Sequence, residues 1–359
     1  MNMKKVIILF GGVSAEHEVS VISGLQVIEN IDRKLFTPYA IKLHKDGLFE
    51  YYENLNKRKN YLKIKPQIIN FGKDKVGAYF TPEGLLKKKT YIDIAYLAFH
   101  GGNGESGQLQ GFLETLDIPY TSSSVEASAI AMNKILTKEV LEQNGIKTVE
   151  YYRDTKNIKL PVIIKPVHLG SSIAINVAKT QVELKKYLLE ANQVDSEVLV
   201  ERYIKDFKEY NVSVRKVNGI VETSEIEKPL SSEEILSFAD KYQRGGKKTG
   251  GMASLQRELP AKISKELETK IKDTAIKAFK AIRAKGMLRI DFMLEGKTLY
   301  LTEINPIPGS MSFYLWEASG VSFKQQITDL LNQAIIDNEE RLSTRLDYKT
   351  DIIEKFINQ

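Results

Sequence analysis

The sequence has no cysteine among its 359 residues. Disulfide bonds and thiolate metal sites are therefore excluded, and the cytoplasm is the expected compartment. Histidine is also scarce, with four residues, and neither His17 nor His44 has a partner at metal-ligand spacing. This pattern argues against a zinc site.

Long apolar runs are missing as well. None reaches the roughly 18 residues that indicate a membrane span, so no contact with a membrane is predicted. The short run from Val6 to Phe10 meets Gly11 and Gly12 at once, without a small-residue cleavage site. This arrangement indicates a buried strand rather than a signal peptide.

Charge gives little evidence for a nucleic-acid partner. The formal net charge is +6, but the lysines are scattered through amphipathic segments, which is typical of solvated surface. Small anionic substrates such as nucleotides fit this charge equally well. The length suits two or three domains of about 100 to 150 residues.

The chain opens with a pattern typical of a doubly wound α/β unit. A strand from Lys5 to Phe10 is followed by a glycine turn and a helix that begins near Ala15. Glu16 and Ser20 lie four residues apart and share a face at the start of this helix, where such folds bind ligands. The alternative is that Glu16 only complements the helix dipole.

A glycine-rich loop follows the apolar run that ends at Phe99. It carries His100, Glu105, Ser106 and Gln110. A loop at the carboxyl end of a buried strand is a common place for function, although a long connector is an equally open interpretation.

A new unit is predicted to begin near Ser123. Ser123 and Glu126 form the pattern of a capping box, and the helix is expected to continue to Gly145. Lys165 then ends a strand before a loop with Gly170, Ser171 and Ser172. Exposed backbone amides in this loop could bind phosphate with Lys165 as the cation, or the loop could be an ordinary hairpin connection.

The segment from about 229 to 259 is polar and contains four glycines, which predicts a lid or a disordered loop. A helix with an apolar stripe is expected from Ser264 to Gly286, and another from about Phe323 to Ile336. The mixed-charge tail with Ile352 and Phe356 suggests an amphipathic helix that packs on the protein.

Two strands joined by a turn at Gly296 give a candidate metal site. The alternation predicts that Leu299, Leu301, Glu303 and Asn305 share one face, and that the neighbouring strand brings Asp291 close to them. Oxygen side chains of this kind suit Mg²⁺, whose remaining ligands are usually substrate phosphates and water. A solvated hairpin face is the alternative.

Eight motifs occur in the order found in D-alanine–D-alanine ligases: GGVSAEHEVS, HGGNGESGQLQG with IPYTSSS, MNKILTK, PVIIKPVHLGSS, VLVERY, DKY, LRIDF and TEINPIPG. From about residue 5 to 335 the chain therefore resembles this family. The resemblance implies an ATP-grasp fold of class α/β, with an α+β C-terminal part. The three expected domains cover 1–122, 123–202 and 203–359, with the lid at about 229–259.

The resemblance implies that ATP phosphorylates one D-alanine and that the amine of a second attacks the acyl phosphate, for peptidoglycan precursor synthesis. It further implies Mg²⁺, or Mn²⁺, as the metal and a homodimer formed through the N-terminal domain. The implied metal ligands are Asp291, Glu303 and Asn305. The implied ATP-binding residues are Lys134, Lys165, Gly170, Ser172, Glu201, Tyr203, Ile204, Glu209 and Lys241.

By the same resemblance, Glu16 holds the ammonium group of the first D-alanine. Arg289 stabilises the acyl phosphate and the oxyanion, which suits its fixed fork of donors. Tyr242 closes the site with Ser171 and Glu16. The remaining residues implied to bind substrate are His100, Ser20, Gly309, Ser310 and Ser312.

The chain departs from the family pattern mainly near the second substrate. Tyr314 takes the place of a serine that contacts the second D-alanine, and Asn133, Ser106 and Ala174 replace an aspartate, an aspartate and a glycine. A ligase that joins D-alanine to a different acceptor is therefore an alternative function. A nucleotide-binding protein without ligase activity is a further alternative.

Overall fold

The computed structural model of the protein describes residues 3–84, 88–154, 158–230, 257–344 and 350–358. Lys241, Tyr242 and most of the predicted lid lie outside these residues. Within them, three β-sheets are each flanked by helices, and each sheet draws its strands from one of the three predicted ranges. No helix in the described ranges is long and apolar enough to cross a membrane.

The first sheet has seven strands in the order β6-β5-β4-β3-β2-β1-β7. β1 is parallel to β2 and β7, and the other neighbours are antiparallel. The strands are β1 (Lys4–Gly11), β2 (Phe36–Leu43), β3 (Phe49–Tyr52), β4 (Gln67–Lys73), β5 (Ala78–Pro82), β6 (Thr90–Tyr91) and β7 (Ile94–Phe99).

The parallel centre of this sheet positions the first part of the site. Val6 to Phe10 and Ile94 to Phe99 are buried, as expected for strands covered on both faces. Helix α1 (His17–Asn30) follows β1, and α2 (Gln108–Thr115) follows the loop after β7. Glu16 and His100 are therefore delivered to the same edge of the sheet, as the α/β pattern predicts.

The second sheet is antiparallel, with the order β10-β9-β11-β8. Its strands are β8 (Tyr151–Tyr152), β9 (Val162–Pro166), β10 (Asn176–Ala178) and β11 (Val198–Arg202). The helices of this region are α3 (Val125–Ala131), α4 (Lys134–Gln143) and α5 (Gln181–Asn192).

The prediction of one continuous helix from Ser123 to Gly145 is wrong. The first cap is Ser124, whose hydroxyl accepts from the Ala127 amide. The helix breaks at Asn133, which is extended and caps α4 by accepting from two backbone amides. Because asparagine bonds to nearby amides so readily, it begins a new helix here.

The third sheet has the order β14-β13-β12-β15-β16, and all its neighbours are antiparallel. Its strands are β12 (Lys208–Val217), β13 (Ile220–Pro229), β14 (Arg257–Glu258), β15 (Met287–Glu295) and β16 (Thr298–Asn305). The associated helices are α6 (Lys265–Ala281), α7 (Phe313–Ala318), α8 (Phe323–Leu342) and α9 (Ile352–Ile357).

A bulge in β16 corrects the predicted strand faces. The register shifts so that Phe292 pairs with Leu301 while Asp291 pairs with Glu303, and Thr302 is the extra residue. Leu301 consequently lies in the core, whereas Glu303 lies beside Asp291. A bulge of this type re-aims side chains, and here it separates the apolar and acidic parts of β16.

Two helix predictions need correction at their ends, and a third needs correction in its packing. Helix α6 ends at Ala281, five residues before Gly286, because Arg283 takes a positive φ. Helix α8 continues beyond Ile336 to Leu342. The tail does form a helix, but Ile352 and Phe356 are exposed, so the expected packing of this helix is wrong for the described residues.

Candidate active site

One pocket lies where the N-terminal sheet, the second sheet and the β15–β16 hairpin meet. Its walls come from all three parts of the chain, and its charged residues include both acids and bases. The lining residues are Glu16, His100, Glu105, Ala131, Met132, Lys134, Gly170, Ser171, Arg289, Glu303, Ile304, Asn305, Ile307 and Gly309.

Arg289, which lines this pocket, forms a buried bidentate ion pair with Asp291. The Nε and Nη2 atoms of Arg289 donate to the two carboxylate oxygens of Asp291 at 2.7 and 2.8 Å. Burial alone lowers the pKa of Arg289, but the adjacent Asp291 carboxylate holds that pKa well above its ordinary value. The guanidinium is therefore a permanent, oriented cation.

Asn305 and Glu303 extend the same polar face. The Asn305 amide donates to Asp291 Oδ2 at 3.2 Å, and Glu303 pairs with Asp291 across the strands. The structure thus brings the three predicted metal ligands together. Two carboxylates and an amide oxygen suit a hard cation such as Mg²⁺. The described part of the chain holds no cluster of three Asp, Glu, His or Cys groups, so Asn305 and substrate oxygens would be needed.

Lys134 lies opposite this acidic face. Its Nζ atom donates to the Leu169 carbonyl at 2.6 Å and lies 3.9 Å from Glu303 Oε1. Burial lowers the pKa of Lys134, and Glu303 opposes that shift. The side chain therefore joins helix α4 to the loop after β9 and places a cation beside the acidic face.

Glu16 and Ser171 connect the N-terminal sheet to the loop after β9. The Ser171 hydroxyl donates to Glu16 Oε1. A Cβ on Gly170 would lie 3.3 Å from Glu16 Oε2, so the loop backbone passes close to this carboxylate. Ser171, Ser172 and Ala174 all have positive φ, a costly conformation for residues with side chains and one that clusters at ligand sites.

His100 is buried at the end of β7 and is fully bonded to protein groups. Its Nδ1 lies 3.1 Å from the Ile307 carbonyl, which can only accept, so Nδ1 carries the proton. Nε2 then accepts from the Ser23 hydroxyl at 2.7 Å. Burial lowers the pKa of His100 to about 4, which makes it a neutral group that holds the Ile307 loop in place.

Glu105 lines the pocket, although the sequence pattern predicted no individual role for it. Its carboxylate accepts from the Gly101 amide at 2.6 Å and the Ile307 amide at 2.9 Å. Burial, with the nearby Glu16, raises the pKa of Glu105 to about 8. The signal in the sequence was its place in the glycine-rich loop, but only the fold shows that it joins two loops.

Of the predicted ATP-binding residues, Lys165 lies on β9, Glu201 lies on β11, and Tyr203 and Ile204 directly follow β11. Lys165 is bonded to Glu201, and both oxygens of that carboxylate contact lysines. The side chain of Ile204 is buried, and the Tyr203 amide donates to the Pro161 carbonyl at 3.3 Å. Glu209 lies on β12 and pairs with Met293 of β15. None of these five lines the pocket described above.

Three of the predicted substrate-binding serines are buried behind the pocket wall. Ser20 accepts from the His100 amide and donates to the Glu16 carbonyl. Ser310 and Ser312 lie in a tight turn with positive φ, directly after the lining residue Gly309. Their backbone therefore shapes the turn, while their hydroxyls do not line the pocket.

Tyr314, the residue in place of the family serine, is also buried. Its hydroxyl donates to Glu227 Oε2 at 3.1 Å, and the Arg257 guanidinium lies 4.1 Å from the ring centroid. Arg257 in turn pairs with Glu227 at 2.9 Å. The tyrosine is thus fixed in an ionic cluster behind Arg289 and lies outside the set of lining residues.

Comparison with known families assigns both halves of the chain. The family described as "D-ala D-ala ligase N-terminus" matches residues 5–123, and "D-ala D-ala ligase C-terminus" matches residues 128–332.

Among curated relatives, the D-alanine–D-alanine ligase of Thermosipho melanesiensis is 34% identical, and the match covers 93% of this chain and 94% of that one. The Coxiella burnetii D-alanine–D-alanine ligase structure has a TM-score of 0.82 at 26% identity, over 96% of this chain and 97% of that one. The Enterococcus faecalis VanG D-Ala:D-Ser ligase has a TM-score of 0.77 at 25% identity, over 93% and 100%.

Proposed function

The chain belongs to the D-alanine–D-alanine ligase family, and we propose on this premise that it joins two D-alanine molecules at the expense of ATP. The observation that carries the proposal is the pocket that Glu16 and Ser171 line together with Arg289 and Glu303 of the β15–β16 hairpin, where Asp291 pairs with Glu303. An amino-acid ammonium group and a transferring phosphoryl group each find a complementary charge there.

In the first step, a carboxylate oxygen of the first D-alanine attacks the γ-phosphorus of ATP. The bond to the bridging oxygen breaks, and an acyl phosphate and ADP form. We assign Glu16 to the ammonium group of this D-alanine, and Lys134, Lys165 and the 170–172 loop to the phosphates. Gly170 and Ser171 of this loop line the pocket, and Ser171 and Ser172 have positive φ, which supports the assignment to phosphates.

In the second step, the free amine of the second D-alanine attacks the acyl carbon. A tetrahedral oxyanion forms, loses phosphate and gives D-alanyl-D-alanine, while the amine releases a proton. Arg289 is assigned to the oxyanion because its buried fork of donors is held in a fixed orientation.

Asp291, Glu303 and Asn305 are assigned as ligands of Mg²⁺ or Mn²⁺. The bound ion supplies positive charge to the phosphate oxygens during transfer. Thr302 supports this set, since its hydroxyl donates to the Asp291 carbonyl at 2.9 Å and fixes the bulge. By the family resemblance, Lys241 is assigned to ATP, and Tyr242 is assigned to closing the site.

The acceptor is tested directly by turnover. Purified protein is incubated with Mg²⁺, ATP and D-alanine as the only amino acid, and phosphate and product mass are followed. We expect D-alanyl-D-alanine with one phosphate per dipeptide. Phosphate without dipeptide, or product only when D-serine or D-lactate is added, would instead support a different acceptor.

We further propose that the protein is a homodimer and that it acts in the cytoplasm, where ATP is available. Light scattering at the concentration used for turnover tests the assembly, and the mass of a single 40.7 kDa chain would contradict it.

A further inference from the structure

Lys138 is a buried lysine for which the proposed reaction has no use. It lies one helical turn after Lys134 on α4, and its side chain is 5% exposed. Its Nζ atom lies 2.5 Å from Glu201 Oε1 and donates to the Val149 carbonyl at 2.7 Å. With these partners and little exposure, Lys138 is poorly placed to contact a ligand directly.

Glu201 connects this lysine to Lys165. Its second oxygen lies 2.5 Å from Lys165 Nζ, and its side chain is 3% exposed. Burial alone raises the pKa of Glu201, but the two lysines hold that pKa below its ordinary value, so the group is a carboxylate. The cluster therefore contains two buried cations and one anion, with one positive charge in surplus.

The side-chain exposures of the two lysines show which of them can carry the extra positive charge to a ligand. The Lys165 side chain is 15% exposed, three times as much as Lys138. Separating Lys165 from a carboxylate that had no other partner would leave a buried charge unpaired, which is strongly unfavourable. With Lys138 in place, Glu201 keeps a partner when Lys165 turns to a phosphate.

We propose that Lys138 is a positioning residue for ATP: it neutralises Glu201 and thereby makes Lys165 available to the phosphates. The inference deepens the proposed function, because it assumes that Lys165 binds phosphate. It predicts that the charge at position 138 controls ATP affinity only while Glu201 is a carboxylate.

The test measures the Kd of Mg²⁺-ATP by calorimetry without D-alanine. Lys138→Met should weaken binding by about tenfold or more, because Lys165 then stays paired with Glu201. In a Glu201→Gln background the same substitution should change Kd by less than about threefold. Equal losses in both backgrounds, or no loss in the native background, would overturn the proposal.

Two further variants separate charge from structure. Lys138→Gln can still donate to the Val149 carbonyl, so a merely structural role predicts recovery, whereas the proposal predicts the same loss as Lys138→Met. Lys138→Arg keeps the charge and should retain most of the affinity. Lys147→Met is the matched control, since Lys147 is exposed and has no ion pair among the described residues.

ATP affinity tests the role of Lys138, whereas dipeptide formation tests the ligase activity, so the two can fail separately. A protein that binds ATP but makes no dipeptide would contradict the ligase proposal and leave the Lys138 result interpretable. Normal turnover combined with an unchanged Kd in Lys138→Met and Lys138→Gln would remove the inference alone. Failure of the native protein to bind ATP would overturn both.

Discussion

The β15–β16 hairpin and the loop from His100 to Gly107 form two walls of the same pocket, and their polar groups are bonded in different ways. On the hairpin, Arg289, Asp291 and Asn305 bond to one another through side chains. In the loop, three of the four side-chain bonds of His100 and Glu105 are to backbone groups, namely the Ile307 carbonyl and the Gly101 and Ile307 amides, and the fourth is to the Ser23 hydroxyl.

This difference separates residues that act on a ligand from residues that hold geometry. Side-chain contacts between charged groups can be exchanged for a phosphate or a metal ion at modest cost, because both provide equivalent charge. Contacts to buried backbone groups cannot be exchanged, since an unpaired backbone amide or carbonyl costs about 1 to 3 kcal/mol. Substitutions on the hairpin should therefore change turnover, whereas substitutions in the loop should change the stability of the fold.

Substitution of Arg289 on the hairpin should have the largest effect, and the effect should be on turnover. Arg289→Ala is expected to lower kcat by roughly a hundredfold or more while ATP binding is largely retained, the scale typical of a lost oxyanion donor. Arg289→Lys should recover only part of the loss, because lysine lacks the fixed fork. Steady-state kinetics with a parallel ATP titration checks this, and normal turnover in the alanine variant would refute the assignment.

The loop should show its role in stability against pH. The pKa of His100 is about 4 in the folded state against an ordinary 6.5, so the unfolded chain binds more protons between these values. The stability that the neutral His100 contributes is present above pH 6.5, and it is lost as the pH falls towards 4.

From pH 7 to 4.5 the His100 contribution to stability should fall by about 2 kcal/mol, whereas Glu105, whose pKa is raised to about 8, contributes in the opposite direction. Urea unfolding at both pH values measures it. Relative to the native protein, His100→Gln should gain about 2 kcal/mol of stability between pH 7 and 4.5, and an unchanged difference between the two proteins would contradict the assignment.

A smaller effect on the hairpin concerns the metal. Glu303→Gln removes one charge from the acidic face, and the Mg²⁺ concentration for half-maximal activity should rise by on the order of tenfold. A Mg²⁺ titration at saturating ATP measures this shift. Glu295→Gln, at the far end of the same hairpin, is the control and should leave the titration unchanged.

The two walls also differ in how far they could be predicted. On the hairpin, the residue types and the short turn predicted that Asp291 and Glu303 would meet, yet strict alternation placed Glu303 on the same face as Leu301. The bulge at Thr302 resolves this conflict. The extra residue of the bulge lets Leu301 lie in the core and Glu303 lie beside Asp291. No local sequence pattern predicted this bulge.

On the loop wall, sequence reasoning predicted that His100 and Glu105 lie in a functional segment but not what they contact. Their main partner, Ile307, is more than 200 residues away along the chain. Tyr314 shows the same limit, because counting placed it at the second substrate whereas packing places it against Glu227 and Arg257.

The sequence alone determined the α/β class, the family and the oxygen-rich hairpin, because these depend on residue type, local period and motif order. Only the tertiary structure decided which groups share a pocket, that His100 is neutral, and that Lys138 and Lys165 share Glu201. Burial and charge pairing arise between distant segments, and their free energies depend on distances that no stretch of sequence specifies.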